Sequence, residues 1–261
     1  MYLYALQAIK SNILFKPMTK TDEKILLSGN VRAYGPTAIH LEPRGQHLAC
    51  FAGGMIVLGA RLFNRPEDIG VARDLVNGCI WAYESMPTGI MPETFHVIPC
   101  SGESTTACPW NQTKWATEMM LRNSHDEQEL DLSIPYDERI RAKSQRLRLP
   151  TGFSAIGDRR FVLRPEAIES IFVLYRITGD DRLRDAAWKM FENIQKVART
   201  DIAYAAIEDV TDTNTTKTNS MESFWMAETL KYFYLLYSEP DVIDLDVFVL
   251  NTEAHPFRRP I

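Results

Sequence analysis

The sequence predicts an all-α fold, a toroid or bundle rather than a Rossmann-like alternation, on three observations. Apolar residues recur at helical spacing through most of the chain, the helices come in consecutive pairs, and tight polar turns such as Thr178-Gly-Asp-Asp181 join the members of a pair. No strict sequence repeat accompanies the pairing.

The first helix is expected over 2–16, where Tyr2, Leu6, Ile9 and Ile13 form an apolar stripe. The segments 47–62 and 66–86 read as a helical hairpin, with Pro66 in the first turn, where a missing N–H is tolerated. Residues 100–150 are the least regular stretch and are expected to be an excursion within one domain spanning 1–261, with a short helix near 111–121. A second hairpin comes next over 164–178 and 181–199, opened by Pro165, and a last helix over 221–237. There Asn219-Ser-Met-Glu222 fits a capping box, in which Glu222 reaches back to the Asn219 cap. Between the helices, Phe161 to Leu163, Ala203 to Ile207 and Val247 to Leu250 are candidate strands bounded by turn residues.

The composition is that of an ordinary globular chain, with 45% hydrophobic and 24% charged residues among 261. A net charge of -5 argues against a nucleic-acid partner, which calls for a basic stripe. No apolar run approaches the roughly 20 residues of a transmembrane helix. Gln7 and Lys10 interrupt the segment where a signal peptide keeps its apolar core. Two N-glycosylation sequons, at Asn111 and Asn214, and four cysteines without metal-ligand spacing point together to the secretory pathway. A cytosolic protein beginning with a helix is the alternative, and the cysteines suit free thiols as well as disulfides.

Chemistry concentrates at the junction of a β-prone run with a helix, Phe161-Val-Leu-Arg-Pro-Glu-Ala-Ile-Glu-Ser170. Glu166 and Glu169 share a helix face beside Arg164, an arrangement suited to acid–base work or to sugar hydroxyls. Acidic residues in a first turn also simply favour the helix dipole. Phe224 and Glu228, four apart, could form an aromatic platform beside a carboxylate, and a buried Phe with a surface Glu reads identically. Glu93 lies in a loop dense in Pro and Gly, with no cap or ion pair evident in sequence. His47 opens an apolar helix, while His40 and His96 have no partner at zinc-ligand spacing. No Ser-His-Asp set and no phosphate-binding glycine loop is present.

Five strings, His47-Leu-Ala-Cys-Phe51, Leu163-Arg-Pro-Glu-Ala-Ile-Glu-Ser170, Met221-Glu-Ser-Phe224, Ala227-Glu-Thr-Leu-Lys-Tyr232 and Asn251-Thr-Glu-Ala-His-Pro256, resemble glycoside hydrolase family 47 in that family's order. The fungal members are the most similar. The resemblance implies an (α/α)7 barrel with a small β-hairpin plug to which the strand ending at Leu250 belongs, and an inverting, calcium-dependent α-1,2-mannosidase acting on oligomannose N-glycans in the endoplasmic reticulum, Golgi or exterior. It implies catalytic roles for Glu166, as the base, and for Glu93. It places Arg164, Glu169, Phe224, Glu228, Glu253 and His47 around the terminal mannose. Thr252, at the hairpin tip deep in the site, is implied to bind Ca2+ through hydroxyl and carbonyl, and Cys50 to pair with Cys79; Cys100 and Cys108 are close enough in sequence for a second bridge.

The family's upstream glutamate proton donor and an active-site aspartate have no counterpart in residues 1–261. The chain is therefore expected to represent the C-terminal half of a toroid, to need the N-terminal half, and to be inactive alone. A catalytically silent glycan-binding protein, or a degradation-signalling mannosidase homologue of the endoplasmic reticulum that works with a thiol oxidoreductase, is the alternative.

Overall fold

The computed structural model describes residues 1–35, 38–100, 107–124 and 133–260. In chain order the helices are α1 (Tyr2–Asn12), α2 (Phe51–Leu62), α3 (Pro66–Glu84), α4 (Gln112–Arg122), α5 (Tyr136–Arg146), α6 (Glu166–Thr178), α7 (Arg182–Ala198) and α8 (Lys231–Tyr237). The strands are β1 (Leu14–Phe15), β2 (Leu27–Ser28), β3 (Asn30–Ala33), β4 (Ile39–Glu42), β5 (Arg44–Gln46), β6 (Thr94–Val97), β7 (Phe153–Asp158), β8 (Phe248–Leu250) and β9 (Pro256–Arg258). Two compact units divide them: Met1–Gln46 with Pro92–Arg159, and His47–Met91 with Arg160–Ile261.

In the first unit, α1 ends four residues short of the expected limit. The side chain of Asn12 bonds the carbonyl of Ala8 at 2.8 Å, and Pro17 disfavours helical backbone at Lys16. The chain turns instead into β1, which pairs with β2. The predicted stripe is the packed face of α1, with Leu6 buried and Tyr2, Ile9 and Ile13 partly so. β3 and β4 form a hairpin, and β5, β6 and β7 an antiparallel sheet in that order. Trp115 of α4 donates its indole N–H to the carbonyl of Phe153 on β7 at 2.9 Å. That helix lies where a short one was expected; 101–106 and 125–132 of the expected excursion fall outside the described residues. Cys100 is bonded to Cys108.

In the second unit, α2 and α3 are the expected hairpin, and Cys50 is bonded to Cys79 with Cα atoms 6.0 Å apart. α6 is the central helix: every residue from Glu166 to Leu174 is buried. It packs on α2, α3, α7 and α8. Gly54 lets α2 approach it closely, since a Cβ there would stand 3.1 Å from the hydroxyl oxygen of Ser170. That hydroxyl accepts from the amide of Gly54 at 2.9 Å and donates to the carbonyl of Cys50 at 2.6 Å. α6 stops at Gly179, whose φ of +65° supplies the left-handed residue that ends a helix at little cost.

The expected capping box does not form. Glu222 instead accepts from the Ser220 hydroxyl at 3.1 Å, and the last helix begins as a π-helical turn over Trp225–Leu230 that continues into α8. The candidate strands near 161 and 207 shrink to single bridges, Phe161 with Ile207 and Ile207 with Lys217. β8 pairs with β9 as the terminal hairpin.

Candidate active site

The segment leading into α6 is held in an unusual conformation. Leu163, fully buried, has φ +64°, a left-handed backbone that costs a bulky residue about 1–3 kcal/mol. The hydroxyl of Thr229 donates to its carbonyl at 2.7 Å, so the π-helical turn helps to pin the strained residue. The next three residues, Arg164-Pro165-Glu166, are thereby fixed in direction at the mouth of α6.

Glu166 is buried and anchored at both oxygens. His47 Nδ1 lies 2.8 Å from Oε2, and Arg164 Nη1 lies 3.5 Å from Oε1. Burial acts to raise its pKa, but the hydrogen bond of His47, the charge His47 adds whenever its ring is protonated, a bond with its own backbone amide, and Arg164 together hold it below the ordinary carboxylate range. His47 is wholly buried, its other nitrogen Nε2 being 2.7 Å from the hydroxyl of Tyr83, with the Phe161 ring beside it.

Glu169, one turn along α6, behaves oppositely. Burial pushes its carboxyl up to about 7; the hydrogen bond from Tyr232, at 2.7 Å, opposes this, while the charges of Glu228 and Glu166 add to it. Glu228 is also raised, by partial burial and then by Glu166 and Glu253, against the pull of Lys231. Tyr232 is pushed above the usual phenol range by burial and the nearby acids, so it stays a hydrogen-bond donor.

Glu166, Glu169, Glu228 and Thr252 line one cavity of about 1100 Å³, together with apolar side chains of α2, among them Phe51, Leu58 and Leu62. Thr252 stands at the tip of the β8–β9 hairpin. Asn251 shapes that turn, its side-chain oxygen accepting from the amides of Glu253 at 3.1 Å and His255 at 2.8 Å. Lys231 donates to the carbonyl of Ala254 at 3.1 Å and ties the tip to α8. Thr252 and Glu253 are exposed rather than deep.

Phe224 is partly buried just ahead of the π-helical turn and does not line the cavity. Glu93, in the first unit, is buried next to β6. His96 on β6 faces Glu42 at 3.4 Å, and His40 is exposed on β4. Asn111 is exposed and caps α4 through its side-chain oxygen, which leaves the amide nitrogen for a glycan; Asn214 is exposed. Sequence reasoning missed Tyr83 and Tyr232. Both look like ordinary core aromatics until the fold brings their hydroxyls to His47 and Glu169.

Among the described residues no group of three or more His, Cys, Asp or Glu is placed to hold a metal ion by itself. The donor set nevertheless fits a hard cation bound through threonine oxygens and water: all its atoms are oxygen, and Glu169 and Glu228 are raised by burial and then by the neighbouring carboxylates. No described helix is long and apolar enough to cross a membrane.

Residues 1–259 match the model of glycosyl hydrolase family 47. The chain is 35% identical over 231 residues to mannosyl-oligosaccharide 1,2-α-mannosidase MNS3 of Arabidopsis thaliana, an alignment covering 82% of this chain and 32% of that protein. It is 30% identical over 263 residues to the probable mannosyl-oligosaccharide α-1,2-mannosidase 1B of Aspergillus niger, covering 98% of this chain and 42% of that one. Among solved structures, the α-1,2-mannosidase from Trichoderma reesei superposes with a TM-score of 0.72 at 28% identity, covering 98% of this chain and 46% of that chain. The chain thus spans less than half the length of these relatives, and its fold class is that of the helical (α/α)7 barrel. The five sequence strings, the disulfide joining α2 to α3 and the acid-lined cavity at the start of α6 accordingly have one common source: the chain belongs to glycosyl hydrolase family 47.

Proposed function

We propose that residues 1–261 form one part, the C-terminal half, of a glycosidase domain that removes terminal α-1,2-linked mannose from oligomannose N-glycans with inversion. The observation that carries this reading is the state of Glu166, a buried carboxylate kept ionised and aimed by His47 and Arg164 on the wall of an acid-rich cavity. A general base must be unprotonated at working pH and fixed towards the water it activates. Both requirements are served by the same two neighbours.

Inversion needs a carboxylic acid on the other side of the scissile bond, about 6.5–9.5 Å from the base so that a water fits between. Glu93 is the second carboxylate assigned to catalysis here, and the resemblance puts the proton-donating glutamate in sequence for which this chain has no counterpart. The resemblance assigns Arg164, Glu169, Phe224, Glu228, Glu253 and His47 to the terminal mannose; of these Glu169 and Glu228 line the cavity, whereas His47 is wholly buried and acts through Glu166. Glu169, titrating near neutrality, can donate to a sugar hydroxyl as well as accept from one.

Thr252 would hold a calcium ion by its hydroxyl and carbonyl oxygens, with Glu166, Glu169, Glu228 and Glu253 meeting the bound waters; when bound, calcium supplies positive charge that orients water and sugar hydroxyls. Two disulfides and two exposed sequons support a place in the secretory pathway.

Release of mannose from an oligomannose glycan by the protein with its N-terminal half is the test. Glu166→Gln keeps an acceptor for His47 and is expected to cut turnover by about 10²–10⁴-fold or more while the melting temperature stays put. Wild-type turnover in that variant removes Glu166 from the mechanism. Glycan binding without release by the unsubstituted protein supports the silent, lectin-like alternative.

A further inference from the structure

Three buried side chains from separate helical segments form a line of which the proposed hydrolysis uses only two, Glu166 and His47. The hydroxyl of Tyr83, near the end of α3, lies 2.7 Å from His47 Nε2, and His47 Nδ1 lies 2.8 Å from Glu166 Oε2. Tyr83 is 2% exposed, His47 0% and Glu166 8%. The Cys50–Cys79 bridge ties together the two segments that carry Tyr83 and His47.

Proton inventory decides which way this line runs. An ionised Glu166 can only accept, so its contact with His47 is a hydrogen bond only while Nδ1 carries a proton. In a neutral imidazole that leaves Nε2 as an acceptor, and the phenol, itself a donor, completes the sequence as Tyr83 O–H to His47 Nε2 and His47 Nδ1–H to Glu166. A histidine side chain free in water prefers its proton on Nε2, so the arrangement has to be imposed by its neighbours. Glu166 imposes it from one side and Tyr83 from the other.

We propose that Tyr83 is a positioning residue: its hydroxyl locks His47 in the Nδ1-protonated tautomer and so keeps Glu166 aimed and charged. Tyr83 is placed to touch neither the sugar nor the reacting water. It acts through His47, much as a group beyond the immediate ligands of a metal fixes the tautomer of a ligating histidine. The inference rests on Glu166 being the base, but the tautomer of His47 can be read without any turnover.

Two measurements on the intact protein separate the ideas. In ¹⁵N-histidine spectra at a pH where the ring is neutral, the His47 signals, identified by their loss in His47→Gln, should show Nδ1 protonated and Nε2 bare. Tyr83→Phe should turn them into a tautomer mixture. An Nε2-protonated His47 in the unsubstituted protein, one doubly protonated at every pH, or an unchanged tautomer in Tyr83→Phe, overturns the proposal. In the pH profile of mannose release, Tyr83→Phe should move the acid limb of kcat/KM upwards by about one unit, the size of a weakened charge-assisted hydrogen bond. A 3-fluorotyrosine at position 83 preserves the ring and donates more strongly, so it should move the limb the other way. If Tyr83→Phe fails to fold, this second variant carries the test, and a limb that does not move overturns the proposal. Should the unsubstituted protein release no mannose, the hydrolase reading fails and the tautomer measurement alone decides the role of Tyr83.

Discussion

Glu166 and Glu169 are two carboxylates on the same turn with opposite environments, and the difference is chemical. Glu166 faces two basic groups; Glu169 faces a phenol and two other acids. Pairs of acids pushed apart in this way are how one site keeps a base and a proton-bearing group at a single pH. The same shift fixes the sign of a stability effect. The folded-state pKa of Glu169 is raised from 4.5 to about 7, so between those values the native state holds a proton that the unfolded chain has lost. Stability should fall as pH climbs through that window and stay lower above it. Glu169→Gln, which still accepts from Tyr232, is therefore expected to match the parent near pH 4 and to exceed it at pH 8 by on the order of 2–3 kcal/mol in chelator. Denaturant melts across pH check this; a difference that does not change with pH would show that Glu169 is not strained by burial. Added calcium should narrow the gap, because a cation beside the acids removes the repulsion. Both glutamates were legible in sequence as a same-face pair beside Arg164. The tyrosines that set their states were not, since Tyr83 is 36 residues from His47 and Tyr232 is 63 from Glu169.

At the level of elements, the two helical hairpins were readable almost to their ends because periodicity and punctuation agree. Pro66 starts α3, Pro165 precedes α6 and Gly179 ends it. The sheets of the first unit were not readable: all its strands but the six-residue β7 are two to four residues long, too short to display alternation. The π-helical turn was equally hidden, because local sequence favoured a cap at Asn219, whereas the packing of Trp225 and Thr229, both buried, sets where the helix starts. The contact between α2 and α6 offers a clean test of how these helices are joined. Ser170 is 1% exposed and serves two backbone groups of the α2 end at once. Ser170→Ala strips both of their partner and should cost about 1–3 kcal/mol in urea denaturation. Gly54→Ala crowds the same hydroxyl and should cost a similar amount, and because the two changes touch one another their effects should not add. Full additivity, or a loss under about half a kcal/mol for Ser170→Ala, would mean that the helices can slide apart at little expense.

For the whole molecule, the governing fact is that an acid-lined cavity is walled by side chains whose apolar surface is open to solvent. On and beside α2, Leu48 is 58% exposed, Leu62 74% and Phe63 49%, and on the terminal hairpin Val249 is 52% and Phe257 57% exposed. Leu48, Leu62 and Val249 line the cavity itself. Soluble chains rarely leave so many large apolar groups together in water, and a contiguous patch of more than a few hundred Å² usually marks a surface that another element covers. The relatives, of which this chain spans less than half, supply the candidate for that element: the remaining helices of their barrel. The hydrolysis proposed above adds a second requirement, since a base acting without a proton donor would have only half of the machinery for an inverting displacement. Residues 1–261 expressed by themselves are therefore expected to self-associate and to release no mannose, and supplying the N-terminal half in the same chain should restore monomeric behaviour and turnover together. Sedimentation and mannose release measured on both forms provide the comparison. A monomeric, cooperatively melting and active preparation of residues 1–261 would show that the exposed apolar surface needs no cover and that Glu166 finds its acid partner within this chain.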